Sequence, residues 1–386
     1  MRTIATERIP IRVWGTSADE PTLEQTRHLA NLPFARRHVA LMPDAHVGFG
    51  MPIGGVLAAE GQIIPHAVGL DIGCGMRAWR TNIPAEVLLP VLDAVLHDIQ
   101  RSVPQGFNWH TSSQAGRTAV FDDVPDAAPL RAELGKAERQ IGTLGGGNHF
   151  IELQVDAAGV VWAMIHSGSR NVGKQMAEYY DRIARDENRT RGSEVPLEWG
   201  LAHLDIGRGA GAEYFAVMDW CLRFARENRR LMGEAVQAAL DRYAGAVTPD
   251  AAVDVHHNYA AVEEHFGEVV VVHRKGAVRA EGTVVVPGSM GTASYIGTGT
   301  RNPDSFESCS HGAGRTMGRR EAKRTMPREQ VLHAMRERGV RLVMADERDV
   351  AEEAPEAYKD IEEVMRWQRD LVEPEVRLVP IGVVKG

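Results

Sequence analysis

The sequence predicts an α+β fold in which a central β-sheet or sandwich carries glycine-rich strand turns and helices lie at the periphery. Three observations lead there. Short Val-, Ile- and aromatic-rich stretches are bounded by Gly or Pro, as strands are. Longer segments between them repeat apolar residues at helical spacing. Six glycine-rich runs punctuate the chain, at 46–55, 69–75, 142–150, 166–170, 287–299 and 311–318, several with a His, Asp or Cys.

In chain order, strands are expected at 38–42, 75–81, 160–166, 268–273 and 280–287, and helices at 84–100, 126–140, 172–188, 210–243, 328–338 and 352–371. The stretch from about 175 to 245 reads as a helical insertion packed on the sheet, poor in glycine and without a chemical cluster. Polar glycine runs recur from Asp44 to the C-terminus, with no linker or repeat between them, which favours one interleaved domain over 1–386.

Of the 386 residues 44% are apolar and 25% charged, which excludes a disordered or fibrous chain. The net charge of −8 excludes a global basic field, so any polyanion must be met by a local patch. No apolar run approaches the roughly 18 residues of a membrane span, and MRTIATERIPIRVWG lacks the pattern of a signal peptide. The expected location is the cytoplasm, with no membrane partner. Cys74, Cys221 and Cys309 are odd in number and far apart, which argues against a disulfide framework.

Asp71 and Cys74 share the run GLDIGCG, where a turn can aim carboxylate and thiol into one site. His149 follows GGGN, His166 ends an apolar strand, His257 lies in DVHHNYA and His311 opens HGAGR. Any one of them, alone, is more often structural. Together their nitrogen, oxygen and sulfur donors suit zinc, manganese, iron or cobalt rather than calcium or magnesium. Five or six donors exceed the four of one zinc site, implying either two ions or a spare reactive histidine. His311 is followed by Gly312, Ala313 and Gly314, whose backbone N–H groups, with Arg315 and Arg319, are phosphate-binding parts. A neutral imidazole there could attack phosphorus; the bland alternative is a histidine capping a glycine turn. Ser289, Ser294 and Lys385 could edge-bind a purine, although neither a P-loop nor a Rossmann fingerprint is present.

Read together, MPDAHVGFGMPIGG, VGLDIGCGMR, GGGNHFIEL, HSGSRNVG, the HN of DVHHNYA, RKGA, PGSMGTASY, HGAGR and a C-terminal KG resemble the RtcB family of RNA-splicing ligases in content and order, from about residue 42 to 386. The resemblance implies an RtcB-like fold and a GTP- and manganese-dependent ligase that joins an RNA 3′-phosphate or 2′,3′-cyclic phosphate to a 5′-hydroxyl. It implies that Asp71, Cys74 and His149 hold one Mn²⁺ and Cys74, His166 and His257 the second, with zinc or cobalt as substitutes. It makes His311 the guanylylated residue. The implied nucleotide contacts are Asn148, His149, Glu152, His257, Asn258, Pro287, Gly288, Ser289, Met290, Ser294, His311, Gly312, Ala313, Gly314 and Lys385. Arg170, Arg315 and Arg319 are the expected RNA-phosphate contacts. An archease-type activator works with some members of the family. QGFNWH at 105–110 departs from the Gly-Val-Gly-like loop the resemblance leads one to expect, and Gly318 stands where a serine is frequent. The rival reading is a dinuclear metal-dependent phosphoesterase, in which the same donors activate water.

Overall fold

The computed structural model describes residues 1–16, 18–246, 248–344 and 346–386. Two sheets dominate. The six-stranded sheet has the order Arg2–Ile4, Ile11–Val13, Ala35–His46, Ile53–Ala59, Glu268–Lys275 and Asn258–His265. The eight-stranded sheet runs Val253–His256, Gly75–Pro84, Val160–Ser167, Phe150–Val155, Val372–Lys385, Ser294–Thr300 and Glu281–Val286, with Arg341–Met344 added in parallel to Val372–Lys385. Its first and last strands come into contact, so the sheet curls toward a barrel. Met76, Ala78, Trp162, Met164, Val285, Ile296 and Leu378 fill the inside. Alternation along Gly75–Pro84 explains this: Met76 and Ala78 face inward, while Trp79 and Ile83 face the helices Leu92–Ser102 and Gly209–Ala244.

The α+β expectation holds, as do the strands expected at 38–42, 75–81, 160–166, 268–273 and 280–287, with ends shifted by a few residues. Two helices differ. The segment expected at 84–100 is split into Ala85–Leu88 and Leu92–Ser102 around Pro90, which has no N–H to continue the ladder. The segment expected at 352–371 is α-helical only over Ile361–Trp367, with short 3-10 turns before it. Pro355 turns Ala354 extended, and Asp360 starts the helix by accepting from the Glu362 amide. The long strand Val372–Lys385 was hidden in the sequence by Pro374 and Pro380, each of which falls at a break in register. Among the described residues no helix is long and apolar enough to cross a membrane.

Candidate metal and nucleotide site

Strand register gathers the donors. Met76 pairs with His166, and His166 also pairs with Phe150, so His149 and His166 meet at one edge of the barrel. His256 pairs with Gly75, and the His257 amide donates to the Cys74 carbonyl at 2.8 Å, which brings His257 beside Cys74. Ser310 pairs with Ala277, carrying His311 to the same edge. Two glycines leave room. A Cβ on Gly168 would lie 2.2 Å from an Asp71 carboxylate oxygen, and one on Gly276, at φ 63°, would lie 2.3 Å from Ile53 and 3.1 Å from the His311 ring.

The result is two triads that share one sulfur: Asp71, Cys74 and His149, and Cys74, His166 and His257, with the donor atoms of each within 4.8 Å of one another. Cys74 Sγ lies 3.4 Å from His149 Nε2 and 3.2 Å from His166 Nε2, while His149 Nε2 is 3.0 Å from Asp71 Oδ2. His166 Nε2 and His257 Nε2 are 3.3 Å apart. His166 Nδ1 is 3.1 Å from the Asn148 carbonyl, an orienting contact that leaves Nε2 as the inward donor. Burial holds the imidazoles of His166 and His257 well below their ordinary range, and the neighbouring histidines push the same way, so both are neutral. Burial, and next the Asp71 charge, push the Cys74 thiol up. A buried thiol among convergent nitrogen lone pairs is a donor set that fits a pair of borderline-soft cations, which would favour the thiolate.

His311 is the histidine outside both triads. Its Nδ1 is 2.6 Å from Asp44 Oδ2, which also accepts its backbone amide at 3.2 Å. A neutral ring that donates Nδ1–H to this fully buried carboxylate carries its lone pair on Nε2. The His311 and His257 rings lie 4.8 Å apart, centre to centre. Asp44 was missed in the sequence even though MPDAH was noticed, because an Asp beside Pro reads as a turn residue.

Two cavities open on this edge. The smaller, about 150 Å³, is lined by Asn148, Pro287, Gly288, Ser289, Met290, His311, Gly312, Ala313, Gly314, Arg315 and Lys385. The larger, about 1160 Å³, reaches Asp71, His149 and Arg170. Arg319, Glu353 and Lys385 line both. Five of the expected nucleotide residues do not line the smaller cavity. His149 and His257 are among the triad donors, Glu152 and Ser294 are buried behind the wall with Gln154 bonded to both, and Asn258 ties the Asp71 carbonyl to the Gly276 amide. The amide of Ala313 donates to the Pro287 carbonyl at 2.9 Å and so is taken from the expected phosphate cradle. Arg315 is likewise engaged, with the Met317 and Glu352 carbonyls, Glu353 and Tyr358. Arg170 sits at φ 60°, a strained backbone for a non-glycine residue, with Nη1 3.1 Å from His149 Nδ1.

Helix Gly209–Ala244, expected to be chemically inert, holds the site loops. Asn228 accepts from the Gly142 and Thr143 amides and donates to Ser167 and Gly168. Arg229, with no exposed side-chain surface, donates to the Gly73 and Ser167 carbonyls and to Asp254. Arg229→Met is expected to lower unfolding free energy by about 3 kcal/mol, since it strips a buried carboxylate and two carbonyls of donors; urea denaturation measures it.

A sequence model of the family described as "tRNA-splicing ligase RtcB" matches residues 25–128 and 122–386. The chain is 37% identical to the RNA-splicing ligase RtcB of Escherichia coli strain K12, over 99% of both chains. It is 33% identical to the tRNA-splicing ligase RtcB of Thermococcus kodakarensis, over 98% of this chain and 95% of that one. It is 34% identical to the RNA-splicing ligase RtcB of Mycobacterium tuberculosis, over 94% of this chain and all of that one. With near-complete coverage in each case, the chain belongs to the RtcB family of RNA ligases.

Proposed function

We propose that this protein joins RNA ends bearing a 3′-phosphate or 2′,3′-cyclic phosphate to ends bearing a 5′-hydroxyl, using GTP and two manganese ions. The observation that carries this reading is the Asp44–His311 pair, which orients the ring and, in its neutral form, sets the proton on Nδ1 so that Nε2 is the free nitrogen on the wall of a cavity beside the two triads. The donors Asp71, Cys74, His149, His166 and His257 would hold the ions, and those would supply Lewis-acid withdrawal of phosphate charge.

Nε2 of His311 attacks the α-phosphorus of GTP and pyrophosphate leaves. Asp44 keeps the ring oriented and stabilises its positive charge as the N–P bond forms. An oxygen of the RNA 3′-phosphate then takes the guanylate from His311. The 5′-hydroxyl attacks the activated phosphate, its proton is lost, and GMP departs. A cyclic end is first opened by water. Arg170 and Arg319 on the larger cavity hold RNA phosphates; the engaged fork of Arg315 makes it a wall of the nucleotide pocket instead. Work in the cytoplasm and an archease-type activator belong to the same reading.

Incubation with α-labelled GTP and Mn²⁺ is expected to leave acid-labile label on the protein. Adding RNA ends then gives a joined product from a 3′-phosphate and none from a 3′-hydroxyl. Release of label as GMP with no protein adduct would instead favour the phosphoesterase.

Burial pushes the Glu152 carboxyl up to about 8, against the Gln154 hydrogen bond and the Lys385 charge. If guanine donors reach this carboxyl behind the cavity wall, they need the carboxylate, so GTP binding at pH 7 releases about one proton. Affinity then rises close to tenfold per pH unit up to about 8 and levels off above it, since a raised acid must first lose its proton. Calorimetry in buffers of different ionisation enthalpy measures the release, and Glu152→Gln removes it.

A further inference from the structure

We propose that Phe107 is a stacking platform for an unpaired nucleobase of the RNA strand whose phosphate end enters the larger cavity; this rests on the ligase reading above. A solitary exposed apolar side chain means little. Here, however, two aromatic rings, Phe107 and Trp109, line the rim of the same cavity that reaches Asp71 and His149. Phe107 is 101% exposed, the most open large apolar residue among those described.

The turn that carries it is pinned. Gln105 is buried and donates from its side chain to the Gln100 and Val103 carbonyls, both at 2.9 Å. The Gly106 amide donates to the Gly145 carbonyl at 2.9 Å, the Asn108 amide to Gln105 at 3.1 Å, and the His110 amide to Arg139 at 3.0 Å. Gly145 belongs to the same loop that delivers Asn148 and His149, so the turn bearing Phe107 is tied to the metal donors. Trp109 is braced by the Arg139 guanidinium, 5.5 Å from its ring centre. A ring left in water on a turn held from both sides presents a flat apolar face without the cost of ordering the backbone that carries it.

Position and mixed charge fit the end of a nucleic-acid strand. Arg170, Lys136, Lys174, Arg319 and Lys385 line the cavity together with Asp71, Asp346, Asp349, Glu352 and Glu353, and the cavity runs from the two aromatic rings to Arg170 and the metal donors Asp71 and His149. Cations for phosphates beside an aromatic face for a base are the parts of single-strand recognition. At about 1160 Å³ the cavity exceeds the roughly 300–1,000 Å³ of a small-molecule site. Stacking needs an open base face, so the occupant is an unpaired terminal nucleotide rather than a duplex.

The test uses the full-length protein with GTP and Mn²⁺ and pairs of RNA ends, each carrying either its normal terminal base or an abasic residue. Phe107→Ala is expected to raise KM for normal RNA about tenfold, a change typical of one base–aromatic stack, and Phe107→Trp to restore it. An abasic residue at the stacked position, on one of the two ends, costs the wild type the same factor and costs Phe107→Ala nothing further. Unchanged KM in Phe107→Ala, or an equal abasic penalty in both proteins at each end, overturns the proposal. Thermal unfolding of Phe107→Ala confirms an intact fold, and Phe107→Leu separates loss of the ring from loss of apolar area. If the wild type takes no label from GTP, the ligase reading has failed; if it takes label and joins RNA while Phe107→Ala has the same KM, only the stacking site has.

Discussion

His311→Ala is expected to abolish the labelled protein adduct and to lower RNA joining by roughly 10⁴-fold or more, because in the proposed reaction this is the group that forms the covalent bond. Metal content stays at the wild-type level, since His311 belongs to neither triad. The partner variant is more discriminating. Asp44→Asn keeps the shape of the side chain but no longer fixes the proton on Nδ1 of His311, whose Asp44 contact is 2.6 Å. Adduct formation is expected to slow by about 10²–10⁴-fold, the scale on which an orienting carboxylate matters to a catalytic histidine. Adduct formation at the wild-type rate in Asp44→Asn would remove Asp44 from the chemistry, and label persisting in His311→Ala would relocate the nucleophile.

Cys74→Ala is expected to empty both proposed metal positions together, because its sulfur is common to the two triads. Loss of a direct ligand costs more than the roughly 10- to 100-fold that outer hydrogen-bonding partners cost, and here it is lost twice. By contrast, Asp71→Ala removes a donor from one triad only and leaves one ion tightly held. Elemental analysis after dialysis reads the stoichiometry. Two retained ions in Cys74→Ala would show that the thiolate does not bridge.

The strand-end histidines and the Asp-x-x-Cys turn were legible because their chemistry is local: each sits where an apolar run meets glycine. Their convergence was legible only as a count of donors, since the registers that join Gly75, Phe150, His166 and His256 couple residues up to 181 positions apart. Asp44 stayed hidden because its role depends on a partner 267 positions away. The protein partners of Arg315 were hidden because a guanidinium near glycines looks the same in sequence whether or not it also meets Glu353 and Tyr358. Asn228 and Arg229 were invisible inside a long amphipathic helix, where one buried arginine looks like any other polar position.

That helix sets an order on biosynthesis. A ribosome delivers Asp71, Cys74, His149 and His166 before Asn228 and Arg229 exist to hold their loops, and His257 and His311 only afterwards. The nascent chain therefore carries four loose candidate donors with no enforced spacing for a time set by translation, at about 5–20 residues per second. Selection among cellular cations falls to the finished fold, and an ion captured early must be exchangeable once the helix locks.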